Sequence, residues 1–320
     1  MIILTGAAGF IGSVLLKALN DRGVTDVLAV DNLGSKGKFL NLRGKQYDIL
    51  SPDLLIDQLA SGALRPDAIL HIGANTNTAD PDADVMYRRN TLYTHRLAEI
   101  AVREDIRFIY ASSASVYGDG AFGFSDDDAL TPGMQPLNAY AWSKWLFDAQ
   151  AIRLGWNDKI AGLRFFNVFG PNEYHKGFMA SVVYHSYKQI LETGQIKLFQ
   201  SHRPDYQHGE QRRDFVYVDD LARVIMWLID NPQVNGIFNL GTGKARSYND
   251  LAKAIFTAID REPVIEYIPT PESIRNSYQY FTEADMTKLK TAGYPHEFMS
   301  LEDSIGAYVR EHLQKPNPYR

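Results

Sequence analysis

The stretch "TGAAGFIG" (Thr5–Gly12) decides how the rest of the chain is read. It follows the short apolar run IILTG (2–6) and precedes an amphipathic stretch, Val14 to Asn20, that reads as a helix. Gly6, Gly9 and Gly12 recur at every third position. Glycines there allow a sharp turn and let a pyrophosphate approach the helix N-terminus, where free N–H groups and the dipole favour anions. A second apolar run, VLAV (27–30), ends at Asp31, 19 residues after Gly12. That is the place for a carboxylate on an adenosine ribose. A plain glycine turn is the bland alternative, but strand, glycines, helix and acid in this order point to a dinucleotide site. Asp31 by itself favours a cofactor without a 2′-phosphate. Asn32 follows it, and Lys36 and Lys38 could pair with such a phosphate, so the residues leave NAD and NADP open.

Further apolar runs follow at AILHI (68–72), RFIYAS (107–112) and IAGLRFF (160–166), separated by helical stretches. Continuous apolar strands alternating with helices predict a parallel sheet covered on both faces, wound by right-handed crossovers. The texture changes after Gly170-Pro171. "QSHRPDYQHGEQRRD" (200–214) reads as a long loop, FVYVDDLARVIMWLI (215–229) as strand then helix, and GIFNLGTG (236–243) as strand and turn. A helix, a strand near VIEYIP and a last helix from about Leu301 complete the chain. The expected fold is α/β: a Rossmann-like doubly wound sheet with a smaller mixed α/β substrate lobe. The expected division is 1–167 plus about 214–240 for the dinucleotide domain, and 168–213 plus about 241–320 for the lobe.

Composition narrows the function. A formal net charge of −5 leaves no basic excess to neutralise phosphates, which argues against nucleic acid as a partner. There are no cysteines, so disulfides, thiolate nucleophiles and cysteine-bound zinc are excluded. The eight histidines form no metal-binding pair, and no metal is expected. No apolar run is long enough to span a bilayer, and the N-terminus lacks the pattern of a signal peptide. A cytoplasmic protein without a membrane partner is expected.

The chemistry is sought at "NAYAWSK" (138–144), where Tyr140 and Lys144 stand four apart and share a helix face. A nearby ammonium favours the phenolate and would lower a phenol pKa from its usual value of about 10. Upstream, RFIYASSASVYG places Ser112, Ser113 and Ser115 at the C-terminal end of a strand, the edge where open α/β sheets bind ligands. A hydroxyl there can hold a substrate oxygen while Tyr140 exchanges its proton. Each pattern has an ordinary alternative, a surface Tyr/Lys pair or a serine turn. Their joint order makes a catalytic reading the better one.

With TGAAGFIG, VDNL, SSASVYG, YAWSK, RFFNVFGP, RRDFVYVDDLA and NLGTG in this order, the chain resembles the extended short-chain dehydrogenases/reductases, the NAD-dependent epimerase/dehydratase family. The resemblance implies Ser113 as catalytic serine, with Tyr140 and Lys144. It implies cofactor contacts from Gly6, Gly9, Phe10, Ile11, Gly12, Asp31, Gly73, Ala74, Asn90, Lys144 and Val168, and a substrate contact from Asn167. Ala114 and Ser115 stand where sugar dehydratases of the family carry an Asp-Glu pair, which disfavours dehydration. "NEYHKGFMASVVYH", "IKLF", "IEYIP" and "QYFTEAD" are similar to the subfamily of ADP-glyceromanno-heptose 6-epimerases. That resemblance implies an isomerase working in lipopolysaccharide inner-core precursor synthesis. It would invert C6″ of a nucleotide sugar by transient oxidation, with bound NADP (NAD remaining possible) and Lys176 as a second acid/base. It places Lys38 and Asn32 near a 2′-phosphate, and His185, Phe199, Ser201, Arg213 and Tyr278 on the substrate. It implies a homo-oligomer, typically a pentamer. Alternatives are another nucleotide-sugar epimerase, such as a UDP-hexose 4-epimerase, or a non-catalytic cofactor-binding protein. Departures from the subfamily pattern are Ile72 where glutamate is common, Phe178 where a small polar residue is common, and a long 200–211 loop.

Overall fold

The computed structural model describes residues 1–275 and 278–320. Its elements run β1 (Ile2–Thr5), α1 (Phe10–Asp21), β2 (Val27–Val30), β3 (Asp48–Leu50), α2 (Pro52–Ala60), β4 (Ala68–His71), α3 (Ala83–Met86), α4 (Tyr93–Arg103), β5 (Arg107–Ser113), α5 (Ala139–Arg153) and β6 (Ala161–Phe165). Then come β7 (Asn167–Phe169), α6 (Val182–Thr193), β8 (Ile196–Phe199), β9 (Arg212–Tyr217), α7 (Val218–Asp230), β10 (Gly236–Leu240), β11 (Ala245–Ser247), α8 (Tyr248–Ala258), β12 (Ile265–Ile268), α9 (Glu272–Arg275), α10 (Thr287–Thr291) and α11 (Leu301–Ala307).

Seven strands form a parallel sheet in the order β3-β2-β1-β4-β5-β6-β10. The direction of winding reverses between β1 and β4, and ligands of such sheets bind outside that point. The apolar runs are continuous because both faces are covered. In β1, Ile2 and Leu4 pack into the layer with α1 and α7, while Ile3 packs into the opposite layer with Leu55, Leu97 and Phe108. The expected fold class is the observed one. The edge strand β3 has no apolar run to announce it: Asp48 and Ile49 are both exposed.

The lobe contains a three-stranded sheet, β11-β9-β7, and a parallel pair, β12-β8. Its core gathers Phe169, Ile190, Leu198, Phe215, Ile255 and Tyr308. The strand β9 lies wholly in this lobe, so the chain returns to the large sheet at Val218, where α7 packs beside α1. It crosses back again after β11: Ala284, Met286, Leu289 and Tyr294 join the core under α7 and β10. The division expected at about 214 and about 240 is therefore coarser than the path of the chain. The return is tied by Asn239, whose side-chain amide donates to the carbonyls of Phe124 (2.7 Å) and Asp285 (3.0 Å).

The helix α5 is oriented by a buried charge. Asp148 and Arg164 are fully buried, with Arg164 Nε 2.9 Å from the carboxylate. Asp148 also accepts from Tyr110 and Ser112, both at 2.9 Å. Arg164 completes its bonds with the Tyr117 hydroxyl (3.1 Å) and the Thr131 hydroxyl (2.8 Å). Removing one partner of a buried, bonded pair strands the other charge and costs about 3–5 kcal/mol. Arg164→Met is expected to lower unfolding free energy by about that amount, measured by urea denaturation. A loss below about 1 kcal/mol would show that Asp148 finds other compensation.

Candidate active site

The loop after β1 packs against the loop after β4. Gly6 has φ +70°, and a Cβ there would stand 2.7 Å from the backbone of Gly73. A Cβ on Gly12 would stand 2.1 Å from the Gly6 carbonyl oxygen. These two glycines are needed for close approach of loop to loop and of helix to strand. Gly9 is the N-cap of α1 and gives it no side-chain cap. The first backbone bond of α1 runs from Ser13 N–H to the Gly9 carbonyl (3.1 Å), which leaves the N–H groups of Phe10, Ile11 and Gly12 without helix acceptors. Three free donors at a helix N-terminus suit the pyrophosphate of a dinucleotide.

Asp31 closes this loop. Its carboxylate accepts from Ala8 N–H (2.9 Å) and pairs with Lys38 Nζ (2.6 Å). Lys38 also donates to the Asn32 carbonyl (3.1 Å). The sequence thus places an acid just after β2, and the fold places a lysine directly on it.

Next to the glycine loop lies a cavity of about 390 Å³. Phe10, Ile11 and Ala74 form the wall beside the glycine loop, and Ile72 presents an apolar side chain there. Ser113, Tyr140, Lys144, Asn167, Val168 and Lys176 line the rest. A larger cavity of about 660 Å³, around Phe281 and Met299, holds none of the predicted site residues.

Strand alternation separates the neighbouring serines. Ser112 faces inward and donates to Asp148, whereas Ser113 faces the cavity beside the Tyr140 phenol. The Ser113 hydroxyl also accepts from Ser115 N–H (3.2 Å) and lies 2.8 Å from the Ser115 hydroxyl. Helix α5 is capped by the Asn138 side chain, which accepts from Ala141 N–H (2.8 Å). Lys144 is buried and donates to the Ala111 carbonyl (2.7 Å). Burial lowers its pKa to about 8, against an opposing pull from Asp148. The expectation that this ammonium makes Tyr140 more acidic is corrected: burial raises the phenol pKa, opposed by the neighbouring Ser113 hydroxyl. One of the three N–H donors of the ammonium goes to the backbone carbonyl of the strand. Lys176 approaches from the loop between β7 and α6, its ammonium 5.5 Å from the centre of the Phe10 ring. Burial lowers its pKa too, opposed by Glu173.

Other predicted residues lie off this wall. Asn90 is buried behind it and ties the loop after β4 to α5: it accepts from Asn75 N–H (2.8 Å), and its amide reaches the Asn75 carbonyl and Ser143 (3.0 Å each). Arg213, Tyr278, Phe199 and Ser201 gather in the lobe. The Arg213 guanidinium stands 5.5 Å from the Tyr278 ring and 5.9 Å from Tyr248, and donates to the Arg212 carbonyl (2.8 Å). Tyr278 meets Phe199 edge-on at 6.2 Å. Tyr248 and Phe215 also line the catalytic cavity and so join the two regions. His185 is exposed on α6, beside Tyr184. Phe178 is 75% exposed and outside the cavity, whose wall there is Met179 and Ala180. Sequence reasoning passed over Asp148, although it continues the four-residue spacing of Tyr140 and Lys144. It also passed over Glu173, a buried carboxylate three residues before Lys176.

The sequence model of the NAD dependent epimerase/dehydratase family matches residues 2–241. The chain belongs to that family, and its cofactor is of the nicotinamide dinucleotide class. An ADP-L-glycero-D-manno-heptose-6-epimerase of Nitratidesulfovibrio vulgaris strain DP4 is 50% identical over 322 residues, covering 100% of both chains. The crystal structure of the Helicobacter pylori ADP-L-glycero-D-manno-heptose-6-epimerase is similar, with a TM-score of 0.83 and 27% identity over 97% of this chain and 95% of that one. MoeE5 in complex with UDP-glucose and NAD has a TM-score of 0.73 and 26% identity over 96% and 97% of the two chains. Among the described residues no group of three or more acids and histidines could hold a metal ion, and no helix is long and apolar enough to cross a membrane.

Turnover that needs a charged Lys144 is present below its pKa and is lost above it. The kcat/KM profile is expected to fall as pH rises through about 8. Lys144→Met should be slow at every pH and lack that limb; an unchanged limb in this variant would assign it to another group.

Proposed function

We propose that this enzyme interconverts the C6″ epimers of an ADP-glyceromanno-heptose. One observation carries the mechanism: Tyr140 and Lys176 reach a single cavity from two separate segments, α5 and the β7–α6 loop. The full-length relative at 50% identity supports the substrate. When bound, the nicotinamide supplies reversible hydride transfer, which turns the C6″ carbinol into a ketone and back. The protein must then accept the hydroxyl proton on one face and return a proton to the oxygen on the other. A single fixed phenol cannot serve both sides of a rigid site. Tyr140 serves one face and Lys176 the other, and proton exchange with solvent resets the pair. The burial that lowers the Lys176 pKa brings its amine closer to working as base or acid near neutrality. Ser113 holds the reacting oxygen beside the phenol.

The reading takes NADP as cofactor. Lys38, ion-paired with Asp31, offsets the carboxylate that would otherwise repel a 2′-phosphate. Arg213 would clamp the diphosphate with its planar fork, beside Tyr278, Phe199 and Ser201. A homo-oligomer in the cytoplasm, a pentamer by resemblance, belongs to the same reading.

Purified protein given ADP-heptose should invert C6″, and UDP-hexoses should remain unchanged; the reverse pattern would sink the substrate assignment. Tyr140→Phe and Lys176→Met should each stay folded by circular dichroism and lower kcat by about 10²–10⁴-fold. Full turnover in both variants would refute the two-base scheme.

A further inference from the structure

The segment Gly170–Ser181 carries Lys176 but lies in neither sheet nor long helix, so its position depends on side-chain bonds. Glu173 fixes its ends, accepting from Gly170 N–H (3.3 Å), the Ser181 hydroxyl (2.8 Å) and the Tyr308 hydroxyl (3.1 Å). Its middle is held from the cofactor side. Asn172 is fully buried at φ +73°, a conformation that asparagine tolerates better than most residues. Its side chain donates to the Ser13 hydroxyl of α1 (3.0 Å) and accepts from Arg320 N–H (2.9 Å). Its carbonyl accepts from the Asn41 side chain at 3.1 Å.

Asn41 is the hub. It is 1% exposed and stands on the single helical turn Lys38–Leu42 that also carries the lysine paired with Asp31. Its amide nitrogen has two protons and finds two carbonyls: Ala8 of the glycine loop (2.9 Å) and Asn172 of the Lys176 loop (3.1 Å). Ala8 in turn donates to Asp31. The far end of the chain completes the clamp, with Tyr174 donating to the Pro318 carbonyl (2.9 Å) and meeting the Tyr319 ring at 5.2 Å. The Arg320 guanidinium pairs with Asp219 at the start of α7.

We infer that Asn41 is a positioning residue that couples occupation of the glycine loop and the Lys38 turn to the placement of Lys176 in the cavity, with Pro318–Arg320 as the clamp that keeps the Lys176 loop within its reach. Asn41 does not touch the reacting atoms; it acts through the backbone of the loop that carries the amine. This inference rests on Lys176 serving as the second acid/base.

The test is a double-mutant cycle read together with hydrogen exchange. Asn41→Ala should lower kcat by about tenfold to a hundredfold, the scale of a side chain displaced by about an ångström, with little change in the KM for ADP-heptose. In the Lys176→Met background the same change should add nothing. Separately, added NADP should protect amides of residues 170–181 from exchange in the wild type and fail to do so in Asn41→Ala. If Asn41→Ala slows Lys176→Met by the factor seen in the wild type, or if NADP still protects the loop, the coupling is refuted. Full turnover in Lys176→Met would instead refute the catalytic reading, and the exchange result would still decide the bridge. Should Asn41→Ala fail to fold, ending the chain at Asn317 keeps Asn41 and opens the clamp, and the same readouts apply.

Discussion

A carboxylate without solvent must be satisfied by protein groups, and at Asp148 that requirement organises the active site. Arg164, Tyr110 and Ser112 all converge on it from β5 and β6. Because Asp148, Lys144 and Tyr140 are spaced by four along α5, pinning the first fixes the rotation at which the other two are presented. Lys144 lands against the end of β5, and Tyr140 lands beside Ser113. The same bond also sorts the two strand-end serines, since Ser112 is drawn into the anchor and Ser113 is left facing the cavity. One buried ion pair thus sets the register of helix against strand and the direction of the hydroxyl that meets the phenol.

Burial shapes the chemistry as strongly as charge does. Desolvation disfavours whichever form carries the charge, so it raises the Tyr140 phenol and lowers both Lys144 and Lys176. The simple picture of an ammonium making a phenol acidic omits where the ammonium points. In this protein Lys144 satisfies the Ala111 carbonyl, and the group beside the phenol is a serine. Lys176 rests over Phe10, an aromatic face that attracts its charged form while the surrounding wall disfavours it.

What could be read from the sequence was what local geometry determines. The glycine array, Asp31, the strand-end serines and the Tyr-x-x-x-Lys spacing each depend on a few neighbouring residues, and the doubly wound sheet follows from continuous apolar runs. What could not be read depends on chain segments that meet late. Asn41 and Asn172 are 131 residues apart, and nothing near either one signals a shared hydrogen bond. Asn90 sits in the right region, yet its side chain is committed to Asn75 and Ser143, behind the cavity wall. The strand β3 is three residues long, exposed and at an edge, so it carries no buried apolar run. Residues 284–298 return to the larger core through Met286, Leu289 and Tyr294, whose scattered apolar positions mark no obvious boundary.

The central claim is that inversion at C6″ proceeds by hydride removal and return within one cavity, with side chains moving only the hydroxyl proton. ADP-heptose carrying deuterium at C6″ tests it most directly, by mass spectrometry of both epimers after equilibration in ordinary water. The account predicts that the label stays at C6″ in substrate and product alike. Loss of the label to solvent would mean that the C6″ hydrogen leaves as a proton, and the account would be wrong.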